Sequence, residues 1–301
     1  MSSADREVRA RAEEQYGVVS REQAFEAGLS PEQIKRRMRG GSLEAVFPGV
    51  YRIAGAPRTG RQRAQAALLW LGDAAAISHM TAAMLLHLDG CRTRDLHVMV
   101  PREQRQRSAL VVPHTTLALP RNQRVTVDGL RCTSASRTLV DIASVLKEEA
   151  LEVAFESARR MGLTSPRALE RCAAQVIEAG GRGSRSLRRL LEHQQPGERP
   201  LQYKLEVKMA RLLRASGLPR PERQVPVGPY RIDFGLSWLR YGVECEGFDY
   251  HGSRLAWKAD KRRTSFIESR GWRLTFVSWD DVTQRPDETL QRIAMAIAQA
   301  A

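Results

Sequence analysis

The sequence has little of what builds secreted, membrane-spanning or disulfide-stapled proteins. Four cysteines in 301 residues (Cys91, Cys132, Cys172 and Cys245) are scattered without paired spacing, which excludes a disulfide framework and a zinc knuckle. No apolar run reaches the roughly 20 residues of a membrane span. The longest stretch, from Ala64 to Ile77, is broken by Gln65 and Asp73. A secretory leader is not expected, because Asp5, Arg6, Glu7, Arg9 and Arg11 stand where its apolar core would lie. Acidic residues are also scarce: 34 stand against 48 lysines and arginines, for a formal net charge of +14. Those basic residues are threaded through apolar periodicity rather than massed in tails, which excludes a disordered polyelectrolyte. What remains is a cytoplasmic, globular protein of several domains, with no membrane partner, whose charge suits a polyanion.

The pattern divides the chain into four parts. Over residues 1–58, a helix from Asp5 to Gln15 stops at Gly17, and Ser20 with Gln23 has the capping-box spacing that starts a helix Arg21–Ala27. Ser30-Pro31-Glu32 caps a third helix to about Arg39, and Leu43 to Ile53 alternates around Pro48-Gly49 as a hairpin does. Three helices and a hairpin outline a winged helix-turn-helix. Its third helix carries Lys35, Arg36, Arg37 and Arg39 around Ile34 and Met38, the expected nucleic-acid contacts. Residues 59–179 read as a mixed α/β middle domain. Its histidines (His79, His87, His97 and His114) lack metal-ligand spacing, and no catalysis is placed on them. Glycine- and glutamine-rich stretches flank a short basic helix and mark 180–198 as a linker. Residues 180–223 hold eleven basic and four acidic side chains, half the net charge of the chain. Arg182, Arg185, Arg188 and Arg189 are expected to track a nucleic-acid backbone there.

Residues 199–301 carry the chemistry. The element order reads αβββαβα, with Glu206 on the first helix, Asp233 on the second strand, and Glu244 and Glu246 on the third. Asp233 lies between Ile232 and Phe234, and Glu244 and Glu246 are two apart, so both are expected on one strand face. Carboxylates grouped in this way repel one another and resist desolvation unless a cation neutralises them. Oxygen ligands suit Mg²⁺ or Mn²⁺, which lowers the pKa of a bound water and stabilises charge on a phosphodiester. Pairing with nearby arginines is the alternative.

Arg231-Ile-Asp233-Phe234, Val243-Glu244-Cys-Glu246-Gly247 and Tyr250-His251, together with Gly217-Leu-Pro-Arg-Pro221, Asp260-x-x-Arg263, Gly271-Trp-Arg-Leu and Trp279-x-x-Val282, resemble the very-short-patch-repair-like domain of the PD-(D/E)XK nuclease superfamily. Tyr16-Gly-Val-Val-Ser20 through Gly49-Val-Tyr51 is similar to the winged helix of AbiEi-type (type IV) antitoxins. Ser78-His79-x-Thr81-Ala82-Ala83 and Ser136-Arg137-Thr138-Leu139-Val140-Asp141 are similar to the segment that follows it. The resemblance implies an α/β multidomain fold: an N-terminal winged helix-turn-helix, a mixed α/β middle domain and a C-terminal restriction-endonuclease-like αβββαβα domain. It places Glu206, Asp233 and Glu244 at the acidic metal-binding positions. Glu246 stands where the superfamily has lysine, and His251, Lys258 or Lys261 are candidates for the missing cation. The first function expected is a DNA-binding, Mg²⁺- or Mn²⁺-dependent DNA endonuclease using Glu206, Asp233, Glu244, Glu246 and His251. The second is a non-enzymatic repressor with a degenerate nuclease fold, partnered by a cognate toxin or defence system. An RNA-directed nuclease stays open as a third.

Overall fold

The computed structural model describes residues 2–104, 106–177, 183–195, 197–246 and 254–301, the last without the side chains of 254–259. It is a mixed α/β chain with three sheets and two compact units. The first unit comprises Met1–Val145 and Arg167–Ser184, and the second Leu146–Pro166 and Arg185–Ala301.

The first unit opens with α1 (Ser3–Glu14), β1 (Val18–Ser20), α2 (Arg21–Glu26), α3 (Pro31–Arg39), β2 (Leu43–Phe47) and β3 (Val50–Ile53). The capping boxes form as the spacing implies: the Ser20 and Ser30 hydroxyls accept from the backbone N–H of Gln23 and Gln33, whose side chains accept in return. The three strands make one antiparallel sheet in the order β1-β3-β2. The chain continues through α4 (Gly60–Leu71), β4 (Ala76–Ile77), α5 (His79–Leu85), β5 (His97–Pro101), β6 (Val112–Thr116), β7 (Arg124–Val127), β8 (Leu130–Thr133) and α6 (Ala135–Ile142). These strands form a sheet in the order β6-β5-β4-β8-β7.

The expected division at 58/59 does not separate two compact bodies. Val18, Phe47 and Val50 from the first sheet are buried in one core with Leu68 of α4 and with Ile77, Val98 and Leu130 from the second sheet. The Gln62 side chain also donates to the Tyr16 carbonyl across the same junction (2.9 Å). An apolar surface shared in this way leaves no solvated boundary between the segments.

The next helix, α7 (Glu148–Arg160), was expected in the middle domain but lies in the second unit; α8 (Pro166–Val176) returns to the first. The cause is chemical. Helix α7 buries Glu152 and Glu156, and arginines of the second unit hold them: Arg211 and Arg214 on Glu152, and Arg223 on Glu156. The expected linker is likewise more than a linker. It contains α9 (Ser184–Glu192), with Leu187 and Leu190 buried. The second unit is completed by α10 (Lys204–Ala215), β9 (Glu222–Val227), β10 (Tyr230–Leu236), β11 (Tyr241–Cys245), α11 (Arg254–Ser269), β12 (Arg273–Val277), α12 (Trp279–Thr283) and α13 (Pro286–Ala300). Its sheet runs β12-β11-β10-β9, with β11 and β12 parallel and the other pairs antiparallel.

Three of the four histidines that show no ligand spacing in the sequence meet in the first unit. The His79 and His114 rings stack 3.4 Å apart between centroids, and His97 Nδ1 lies 2.9 Å from His114 Nε2. Burial, with the charge of neighbouring imidazoles, pushes His79 down to about 3 and His114 to about 4. The folded state therefore keeps these rings neutral at pH values where an unfolded histidine takes a proton. Their contribution to stability is full above pH 6.5 and declines as the pH falls towards 3–4. His79 also has φ +49°, a conformation asparagine tolerates. His79→Asn should flatten the loss of stability between pH 7.5 and pH 5 by about 2 kcal/mol, measured by urea unfolding.

Candidate functional site

The pairing of β9 with β10 positions the acids. It runs from Tyr230↔Val227 to Ile232↔Val225 and resumes at Phe234↔Arg223, leaving Gln224 and Asp233 opposite each other. At that point the strand changes face. Ile232 packs with Val225, Val227 and Ile267, whereas Phe234 packs with Leu205, Met209 and Val243 on the other side. Gln224 accommodates the change with φ +54°, a left-handed conformation that costs a non-glycine residue of order 1–3 kcal/mol. The pairing of β10 with β11 ends at Phe234↔Val243, and beyond it the sheet opens. The Asp233 carboxylate then takes the place of a ladder partner, its Oδ2 accepting from the Cys245 backbone N–H at 2.9 Å.

Two other acids meet Asp233 at this opening. The buried Glu206 of α10 shares a donor with it: Gln224 Nε2 donates to Glu206 Oε2 (3.1 Å) and to Asp233 Oδ1 (3.0 Å). Glu206 Oε2 also accepts from the Gln202 backbone N–H. The buried Glu244 of β11 is gripped by Arg263 of α11, whose Nη2 donates to both carboxylate oxygens at 2.8 and 2.9 Å. The electrostatics follow from crowding in a desolvated place. Burial, then the charge of Asp233, raises Glu206 to about 8. The same two causes raise Glu244 to about 7, against the pull of Arg263. Burial also raises Asp233 itself, although hydrogen bonds from Cys245, Gln224 and Glu244 and the charge of Arg263 oppose the shift.

The remaining expected residues lie as follows. Glu246 falls one residue past the end of β11 and is exposed, whereas Glu244 is buried. The Glu246 backbone N–H still donates to the Val277 carbonyl of β12 at 2.8 Å. His251 and Arg182 lie outside the described residues, as does the Lys258 side chain. Lys261 is exposed. On α3, Lys35, Arg36 and Arg39 are exposed, but Arg37 turns back to form an ion pair with Asp5 (2.6 Å) and to donate to the Gln33 carbonyl. On α9, Arg185 and Arg188 are exposed, and Arg189 pairs with Glu148 at 2.7 Å. Two polar members of the acidic cluster were not expected in it. Arg263 was visible only through its Asp260-x-x-Arg263 spacing. Gln224 carries no signal, because its role depends on a backbone distortion.

The donor chemistry fits a hard divalent cation, since the buried Glu206 and Glu244 and the half-buried Asp233 crowd together in want of positive charge. As they stand, Gln224 and Arg263 hold oxygens such a cation would take. Among the described residues no three histidine, cysteine or carboxylate side chains form a ready ligand set.

The comparisons with known proteins divide along the same line as the chain. Residues 6–54 match the family model of AbiEi-antitoxin transcriptional regulators. Residues 205–297 match the restriction-endonuclease-like family model REase_MTES_1575. A curated relative, the uncharacterized protein YcjD of Escherichia coli K12, is 46% identical over 50 residues, which is 17% of this chain; the chain spans 40% of that relative's length. Among solved structures, the RV2827C protein of Mycobacterium tuberculosis aligns over 63% of this chain and 76% of its own, at 17% identity and a TM-score of 0.46. No helix among the described residues is long and apolar enough to cross a membrane.

The bridging amide gives a direct test of how the cluster is held. Gln224→Ala leaves Glu206 and Asp233 facing each other without a shared donor, and should lower stability by about 1–3 kcal/mol at pH 8 in urea unfolding. Gln224→Gly relieves the backbone but equally lacks the amide, so it should recover only the strain component of that loss.

Proposed function

We propose that this protein binds DNA through its N-terminal segment and cuts phosphodiester bonds with its C-terminal one, as a Mg²⁺- or Mn²⁺-dependent endonuclease. The observation that carries the reading is the meeting of Glu206, Asp233 and Glu244 at the open end of the second unit's sheet, within the segment that matches a restriction-endonuclease-like model. The order of elements from α10 to α13 supports a PD-(D/E)XK-like fold. The three helices and the hairpin of residues 1–58 support a winged helix-turn-helix, with the middle segment connecting the two. Four free cysteines agree with work in a reducing cytoplasm.

In this reading Glu206, Asp233 and Glu244 would hold the cation, which would supply Lewis-acid charge stabilisation to a phosphodiester under attack. The protein's own groups prepare for it. The Cys245 N–H and the Gln224 amide fix both oxygens of Asp233, so this carboxylate is oriented before any ligand arrives. Burial keeps the local dielectric low, which strengthens every interaction of these acids with positive charge. Purified protein with supercoiled plasmid and Mg²⁺ should nick or linearise it, and Asp233→Asn should lower the rate by at least about 100-fold. Equal cutting by the two proteins overturns the assignment.

The DNA-facing surface proposed for the N-terminal segment is the exposed part of α3. Replacing Lys35 and Arg36 together by alanine should reduce the salt dependence of DNA binding by about 2 in the slope of log K against log salt. Arg37→Ala should leave that slope unchanged and lower stability by about 1 kcal/mol, because Arg37 is engaged with Asp5.

A second reading, an antitoxin-type repressor with a degenerate nuclease segment and a toxin partner, is favoured by one observation: Arg263 already neutralises Glu244. Calorimetry with Mn²⁺ separates the two, since a repressor of this kind takes up no metal at Asp233.

A further inference from the structure

The sequence has a glutamate, Glu246, where the PD-(D/E)XK superfamily has lysine, and the structure leaves Glu246 exposed beyond the strand. A phosphodiester brought to Glu206, Asp233 and Glu244 meets three acids, and its own charge is of the same sign. Some positive group must hold it there. Among the described residues, Arg263 is the cation that hydrogen-bonds to these carboxyls.

Its geometry is lopsided. Nη2 alone makes all its hydrogen bonds among the described residues: two to Glu244 and one to the Arg231 carbonyl at 2.7 Å. A guanidinium offers five N–H donors in a fixed plane. With Nη2 pinned, Nε–H and Nη1–H are left as separate single donors, each able to reach one phosphate oxygen. The exposure agrees. The Arg263 side chain is 25% exposed and its partner Glu244 only 6%, so the guanidinium is not sealed in with the carboxylate it holds. A guanidinium serving only as counter-ion to a buried glutamate would be expected to use two nitrogens on two oxygens, the bidentate form that such pairs favour.

We infer that Arg263 is the phosphate-binding residue of this site: it is anchored to Glu244 and the Arg231 carbonyl through Nη2, and it holds a phosphodiester oxygen with its remaining edge. The assignment rests on the reading of residues 205–297 as a segment that acts on nucleic acid, but it does not require that the segment cut.

The test is binding without metal. The full chain and its Arg263→Gln and Arg263→Lys variants are titrated onto a short DNA duplex in EDTA at several salt concentrations. A residue that neutralises one phosphate contributes about 0.9 to the slope of log K against log salt. Arg263→Gln should lose that increment and bind at least threefold more weakly at low salt. Arg263→Lys keeps a charge to offset Glu244 and should unfold at the wild-type temperature. It lacks a second edge, so it should show the same reduced slope. Slopes equal to wild type in the folded variants overturn the inference and leave Arg263 as a counter-ion for Glu244. The Lys variant keeps the test decisive if the Gln variant does not fold. Plasmid cutting in Mg²⁺ is scored separately. A wild type that never cuts but loses the increment on substitution refutes the nuclease reading and upholds the phosphate contact; one that cuts with unchanged slopes does the reverse.

Discussion

Two buried carboxyl groups and a half-buried third, crowded together, would be intolerable in a protein interior without compensation. The C-terminal half of this molecule is arranged around supplying it. Burial and mutual repulsion push the acids towards protonation, and each receives a donor that opposes the shift: Gln224 between Glu206 and Asp233, the Cys245 N–H on Asp233, and Arg263 on Glu244. None of these donors is placed cheaply. Gln224 adopts a left-handed backbone in mid-strand, the β10–β11 ladder stops short so that Asp233 can replace a backbone acceptor, and Arg263 is carried from α11 to the Glu244 carboxylate and the Arg231 carbonyl. Strain and broken pairing at one point of an otherwise regular sheet are the marks of a functional site, since regular pairing would be more stable.

The basic excess of the chain is spent differently from what its position along the sequence suggests. The region 180–223 holds half the net charge, yet much of it is already paired with acids. Arg189 pairs with Glu148, Lys208 with Glu149, Arg211 and Arg214 with Glu152, and Arg223 with Glu156 and Glu198. These pairs knit α7 into the second unit. Buried ion pairs contribute little net stability relative to apolar packing, but losing one partner leaves an uncompensated charge. They therefore specify where α7 docks more than they strengthen it. The exposed remainder, including Arg185 and Arg188, is what is left for a polyanion.

What could be read from the sequence follows from the range of the interactions involved. Capping boxes at Ser20 and Ser30 are local, and they form as their spacing implies. The strands carrying Asp233 and Glu244 are also legible, because an acid flanked by Ile232 and Phe234 already conflicts with its surroundings. The residues that escaped notice act through long-range geometry. Arg263 reaches Glu244 across nineteen positions, and the His79, His97 and His114 rings meet from α5, β5 and β6. Spacing along a chain cannot encode that convergence when each element contributes one residue. The membership of α7 in the second unit was illegible for the same reason, since its partners lie some sixty residues further on.

The contrast between Gln224 and Arg263 bears on which function the acids serve. A fold that had lost its chemistry would be free to replace Asp233 by an apolar residue, which would end the repulsion, let Gln224 relax and restore the ladder to Cys245. Buried polar groups of this kind are generally neutral or unfavourable against well-packed apolar substitutes. Their persistence here, with a strained glutamine and an arginine half committed to a glutamate, has a physical cost that folding alone does not require. The arrangement is the one expected if the acids must remain available to a cation while Arg263 keeps an edge open towards a phosphate.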